Sequence, residues 1–305
     1  MRHHGQVAWQ IPDDLVRRMA GRAADGGLDG DGWLRVLPRI AEDHLTGWSL
    51  VPAGPAVNGH NALVLPVGRG TSAGAAAVLK VSWPHPEADD EHLALKHWNG
   101  RGCVRLFAAD PASHVLLLER AGPADLMSVD EDTAVTVLGE LLARLHTSPP
   151  PAVRSFAEAT GRRFAPLREY PEAIPRRWVQ RALEVVDHRR DTHVQLHGDL
   201  HYLNVLAAER EPWLAIDPKP TAGPPGFDLY PLLRNRVDDL GTGSAFRRNV
   251  RYRLELAADA AGIDLDAARD WCVAHAVLSA FEFGQEGWPT LTTLNLAIAK
   301  AVDDL

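Results

Sequence analysis

The chain has 305 residues, 46% of them hydrophobic and 24% charged, so it can bury a substantial core and is long enough for two lobes. Its formal net charge of -8 sets nucleic acid aside as the default partner, because phosphate binding needs basic surface, and suits a cationic small substrate. Cys103 and Cys272, far apart in sequence, give no disulfide framework and read as reduced core thiols of a cytoplasmic protein, and no apolar run approaches transmembrane length.

The first residues, Met1-Arg-His-His-Gly-Gln6, lack the apolar region of a signal peptide. Residues 1–48 read as an N-terminal helical extension. Pro12-Asp-Asp-Leu-Val-Arg-Arg-Met19 has good helix-start chemistry, Gly26 to Gly32 is a break, and Leu34, Leu37, Ile40 and Leu45 restore helical periodicity up to Trp48. Its expected role is packing.

Residues 49–120 turn to strand signals and form the expected nucleotide-binding N-lobe. Ala62 to Val67 and Ala75 to Val81 flank a turn containing Gly and Ser, as an antiparallel pair would. Lys80 interrupts the second run. A lysine there either solubilises an edge strand or meets a carboxylate or phosphate. On the following helix Glu91, Leu95 and Trp98 share one face, which makes Glu91 the preferred partner of Lys80 and Glu87 the second choice. Asp89 and Asp90 read as helix-start acids. Val57-Asn-Gly-His-Asn-Ala62 is the candidate phosphate-covering loop, with Gly59 as its single glycine. Val104 to Phe107 and Val115 to Arg120 complete the sheet, and the change at Glu119-Arg-Ala-Gly-Pro123 marks a hinge.

Residues 121–305 read as a mainly helical C-lobe carrying the catalytic loop and substrate-binding helices. Ser128-Val-Asp-Glu131 has the form of a capping box for a helix that buries Val135, Leu138, Leu141, Leu142 and Leu145. A second helix is expected over about 175–189, and three more near 244–260, 265–283 and 289–303.

The chemistry concentrates in Gln195-Leu-His-Gly-Asp-Leu-His-Tyr-Leu-Asn-Val-Leu206 and Trp213-Leu-Ala-Ile-Asp217. Two short apolar runs separated by Glu209-Arg-Glu-Pro212 predict a β-hairpin, which would draw Asp199, Asn204 and Asp217 to one end. Such a trio suits phosphoryl transfer, with Asp199 as base and Asn204 and Asp217 as hard oxygen ligands for Mg²⁺. A rival metal site of His193, His197 and His201 on a helix is opposed by Gly198 and the strand-like flanks. The Pro/Gly-rich stretch after Asp217 is expected to be irregular. Asp228 is expected to cap the next helix and anchor the catalytic loop, with His197 also in support.

The block from Leu196 to Tyr230, together with Leu79-Lys-Val81, Leu95 to Leu106 and Leu116 to Arg120, resembles the aminoglycoside/hydroxyurea phosphotransferase family, particularly its streptomycin 6-phosphotransferases. The resemblance implies an α+β, two-lobed protein-kinase-like fold with a small antiparallel-sheet N-lobe. It implies O-phosphorylation of a small molecule by ATP with Mg²⁺, streptomycin being the leading acceptor and hydroxyurea or an amino sugar the alternative. Lys80 would grip the nucleotide phosphates, and backbone groups near Glu119 and Ala121 would bind the adenine edge. The chain departs from the pattern at Gly223-Pro-Pro225, where an acidic residue is expected, and at Phe281 to Gly287. Guanidinium groups on an acceptor need carboxylates, for which Glu282, Glu286, Asp238 and Asp239 are the candidates. The rival from another class is a catalytically silent, kinase-shaped binding protein.

Overall fold

The structure, a computed structural model, describes residues 9–69, 76–170 and 173–303. The turn expected between the first two sheet strands, with Ala75, lies outside the described residues. The chain divides into two compact units, one reaching to Ala121 and the other beginning at Gly122.

In the first unit, helices α1 (Asp13–Met19) and α2 (Gly30–Gly47) precede strands β1 (Leu50–Pro52), β2 (Val57–Asn58), β3 (Ala62–Arg69) and β4 (Ala77–Ser82). Helix α3 (Glu91–Trp98) and strands β5 (Leu106–Asp110) and β6 (Val115–Glu119) follow. Among the described residues these strands make one antiparallel sheet in the order β1-β3-β4-β6-β5, with β2 also paired to β3. Strand alternation sends Leu63, Leu65, Leu79, Val81, Val115 and Leu117 to one face, where Leu15, Met19, Trp33, Leu37, Ala41 and Leu45 cover them. The N-terminal helices therefore share the sheet's own core. Helix α2 starts earlier than its periodicity suggests. The Asp29 side chain accepts from the backbone NH of Gly32 at 2.6 Å, and a Cβ at Gly30 would lie 1.9 Å from the Met19 carbonyl oxygen, so only glycine fits where the helix begins.

In the second unit, helices α4 (Glu131–Leu145), α5 (Phe156–Glu169) and α6 (Arg176–His188) lead into strand β7 (Val194–Gln195). The hairpin β8 (Val205–Ala207) and β9 (Trp213–Ala215) comes next, then β10 (Ala222–Gly223) and helices α7 (Tyr230–Leu233), α8 (Gly243–Ala261), α9 (Leu265–Gln285) and α10 (Pro289–Asp303). Helix α9 is buried on every side from Trp271 to Phe281 and packs against α5, α6 and α10, which makes it the spine of this unit.

Two local expectations are corrected here. Ser128 does not cap α4. It sits in a 3₁₀ turn with its hydroxyl donating to the Asp125 carbonyl, and Asp130 is the cap, accepting from the NH of Thr133 at 3.0 Å. Glu131 is drawn off by Arg253, Arg236 and the Tyr202 hydroxyl, so the reciprocal bond of a capping box is lost. The Pro/Gly-rich segment after Asp217 is not wholly irregular either. Its Ala222 and Gly223 pair antiparallel with Gln195 and Val194.

Candidate active site

The hairpin forms as its sequence pattern suggests, with Val205 opposite Ala215 and Ala207 opposite Trp213. The Ile216 NH donates to the Asn204 carbonyl at 2.9 Å, which places Asn204 beside the strand that delivers Asp217. Asn204 in turn donates its Nδ2 to the Asp199 carbonyl at 2.9 Å. That bond turns Nδ2 toward the loop backbone and leaves Oδ1 as the atom able to meet a cation. Asp217 has φ of 56°, a left-handed conformation that aspartate tolerates better than most residues and that concentrates at functional sites. Two oxygen ligands of this kind fit Mg²⁺, which takes few protein ligands and completes its shell with water and phosphate oxygens.

The loop before the hairpin is held from below. The carboxylate of Asp228, fully buried, accepts from the NH of His197 and the NH of Gly198, each at 2.7 Å, and from His146 Nε2 at 3.1 Å. His197 is buried as well. Its Nδ1 accepts from the Asp199 NH at 3.3 Å and its Nε2 donates to the Ile216 carbonyl at 3.1 Å. Burial holds its pKa below the usual histidine value against the pull of Asp228, Asp199 and Asp217, so the ring is neutral and fixed in one tautomer. Asp228 and His197 thus make contacts suited to anchoring the loop, but Asp228 does not cap the next helix: it lies within the 3₁₀ turn before α7, whose N-cap is Leu229, and its carboxylate is spent on the loop NH groups.

The three histidines do not share a helix. His193 is exposed at the mouth of β7, His197 is buried under the loop, and His201 caps the 3₁₀ turn that ends at Asn204.

Asp199 is 8% exposed. Its surroundings hold two cations that sequence reasoning did not find: Lys219 Nζ lies 2.8 Å from Oδ2 and Arg234 Nη2 lies 3.5 Å from Oδ1. His201 Nε2 is 3.8 Å from Oδ2, and burial pushes its pKa down to about 4. Burial opposes ionisation of Asp199, but Lys219, His201 and Arg234 outweigh it and hold the carboxyl below the usual carboxylate range. Lys219 arrives there because residues 218–223 run back beside residues 194–198, through the bonds Lys219 NH to His197 carbonyl (2.7 Å) and Leu196 NH to Thr221 carbonyl (2.9 Å).

Gly198 makes that approach possible. It has φ of 84°, and a Cβ there would fall 2.0 Å from the Lys219 carbonyl oxygen. Gly198→Ala is expected to cost about 3 kcal/mol, combining left-handed strain with a backbone clash, and to lower the thermal midpoint by roughly 5–10 °C. Calorimetry of the purified variant checks it.

In the first unit, Lys80 lies on β4, paired on both sides, so it is a central and not an edge residue. Its ammonium meets both carboxylate oxygens of Glu91, at 2.7 and 2.8 Å, with Lys80 7% and Glu91 3% exposed. Glu87 is exposed. The Gly59 turn closes through its NH to the Ala62 carbonyl, and Arg18 of α1 donates to the Gly59 and His60 carbonyls at 2.9 and 2.8 Å. The loop is therefore braced by the N-terminal helix in place of further glycines. At the end of β6 the Glu119 NH donates to the Arg105 carbonyl and the Arg120 NH to the Ala76 carbonyl, and Ala121 closes the unit.

The acids proposed for a cationic acceptor are dispersed. Glu282 on α9 is held bidentately by Arg163 of α5 at 2.7 Å for both bonds, and Glu286 is exposed just past the end of α9. Asp238 and Asp239 lie on a 3₁₀ turn before α8, where Asp239 pairs with Arg236.

Residues 47–287 match the family described as aminoglycoside/hydroxyurea antibiotic resistance kinase. The chain belongs to this family. It is 39% identical to a streptomycin 6-kinase of Streptomyces glaucescens, over 96% of this chain and 97% of the relative. It is 37% identical to a hydroxyurea phosphotransferase of Kitasatospora aureofaciens, over 99% of this chain and 88% of that one. Among solved structures, a choline/ethanolamine kinase family protein of Mesorhizobium loti shares the fold at TM-score 0.59 and 15% identity, covering 87% of this chain and 95% of that one.

The fold is thus that of the kinase-like phosphotransferases: an antiparallel-sheet unit followed by a mainly helical one. The chain is a nucleotide-using antibiotic resistance kinase acting on a small molecule. No described helix is long and apolar enough to cross a membrane.

Proposed function

We propose that this kinase transfers the γ-phosphoryl group of ATP to a hydroxyl of streptomycin. The observation that carries the reading is the catalytic loop itself: Asp199, Asn204 and Asp217 tied around one hairpin and anchored by Asp228. Asp199 orients the acceptor hydroxyl and receives its proton, and Asn204 and Asp217 are the residues that would hold Mg²⁺. Bound there, the ion would neutralise charge on the phosphate oxygens. Lys80, fixed by Glu91, binds the nucleotide phosphates, with the Gly59 turn over them and backbone groups at Glu119 and Ala121 at the base. Phosphoryl transfer asks little covalent chemistry of the protein, so positioning and charge supply most of the rate. The relatives' identity of 39% over nearly the full length supports streptomycin as the acceptor.

Hydroxyurea is the second reading. The 37% identity to a hydroxyurea phosphotransferase supports it, as does Glu282, whose charge is already matched by Arg163 and is less open to a substrate guanidinium. Purified protein with Mg-ATP is expected to release ADP only when acceptor is present and to add one phosphate to streptomycin by mass. Phosphorylation of hydroxyurea with streptomycin unchanged decides for the second reading.

A further inference from the structure

The base reading leaves Lys219 unassigned, yet its ammonium makes the shortest contact to the Asp199 carboxylate, 2.8 Å to Oδ2. Arg234 faces the other oxygen at 3.5 Å, longer than a good hydrogen bond. The two carboxylate oxygens are therefore not equivalent. Oδ2 is occupied by a charge-assisted bond, while Oδ1 keeps a lone pair for a further donor. The contact is built by the main chain, because the Lys219 NH is bound to the His197 carbonyl at 2.7 Å and its carbonyl packs over Gly198. The lysine is thus delivered to the base by the same segment that carries Asp217 two residues earlier. Its side chain is 33% exposed, so the pair is only partly buried, and a surface lysine kept for solubility would not be fixed at both backbone and ammonium.

We propose that Lys219 is a positioning residue of the transfer reaction, holding Oδ2 of Asp199 so that Oδ1 is the atom presented to the acceptor hydroxyl. In the step, the acceptor oxygen forms its bond to the γ-phosphorus and the bond from that phosphorus to the β,γ-bridging oxygen breaks. The electron pair leaves on ADP, and the hydroxyl proton passes to Oδ1. Lys219 stays protonated throughout. Without it the carboxylate can turn toward Arg234 and present either oxygen, so fewer encounters have the reacting atoms aligned. This inference rests on Asp199 being the base.

The test compares Lys219→Met, Lys219→Arg, Asp199→Asn and the Lys219→Met/Asp199→Asn double variant, each first shown by circular dichroism to fold. Turnover is measured with Mg-ATP and streptomycin, or with hydroxyurea or water where the parent protein uses those. Lys219→Met is expected to lower kcat at least about ten-fold with KM for ATP within about two-fold, and Lys219→Arg to recover most of the loss. In the Asp199→Asn background the lysine change is expected to cost nothing further, because a residue acting through Asp199 has nothing left to position. A Lys219→Met kcat within two-fold of the parent, or losses that multiply in the double variant, overturns the proposal while leaving Asp199 as base. Parent-like turnover by Asp199→Asn overturns the base reading itself and this inference with it.

Discussion

Asp199→Ala is expected to lower kcat by about 10³-fold, within the 10²–10⁴ that a positioned acid–base group contributes, while KM for ATP shifts less than about two-fold. The reason lies in which atoms hold the loop. Asn204 is bonded to the backbone carbonyl of residue 199, not to its carboxylate, and Gly198 is bonded to Asp228. Truncating the side chain therefore leaves the amide proposed to meet Mg²⁺ and the loop's anchor in place. What disappears is the carboxylate between Lys219 and Arg234, two cations about one-third exposed, whose mutual repulsion is largely screened by solvent. Steady-state kinetics alongside nucleotide titration separates the effects. Turnover preserved in a variant that still binds ATP would falsify the base assignment, and lost binding would point to collapse of the loop.

The geometry of the candidate site was legible because each of its elements has a strong local signature. Two apolar runs around Glu209-Arg-Glu-Pro212 specify a hairpin, and its ends must then meet, so Asn204 and Asp217 could be paired before any coordinates. Glu91 could be preferred over Glu87 because it falls on the helical face of Leu95 and Trp98, and all three are buried, while Glu87 precedes the first turn of α3. The boundary between α8 and α9 carries ordinary cap residues: Gly262, in the left-handed conformation, ends α8, and Asp264, whose side chain accepts from the Ala267 NH, begins α9.

Contacts between distant segments left no such trace. Lys219 reads as a solvated loop lysine between two prolines, and its arrival at Asp199 depends on the return path beside residues 194–198. The pairing of Glu282 with Arg163 spans 119 residues and reverses the meaning of an apparently available acid. Helix α5 was overlooked although Ser155 and Glu158 form a genuine capping box, whereas the matching pattern at Ser128 and Glu131 is not one. Both stretches satisfy the same local rule. Asp130 competes for the second, and Arg253 takes its glutamate.

Lys80 is where stability and activity can be separated. It lies within the central strand β4, facing α3, with Glu91 as its buried counter-charge. Lys80→Met leaves that carboxylate without its cation, and breaking a buried ion pair from one side costs about 3–5 kcal/mol. The double variant Lys80→Met/Glu91→Leu removes both charges and replaces them with apolar groups of similar volume, so its stability is expected to return to within about 1 kcal/mol of the parent. Activity is expected to stay lost. A charge-assisted bond to phosphate contributes about 1.5–3 kcal/mol, which places the drop in kcat/KM for ATP at roughly 10- to 150-fold in the folded double variant. Urea unfolding and ATP kinetics on the parent, Lys80→Met and the double variant read the two quantities independently. A double variant that regains both stability and activity would make the pair a purely structural staple of the sheet. Regained stability with impaired ATP use makes Glu91 the positioner of Lys80 and Lys80 the group that meets the nucleotide.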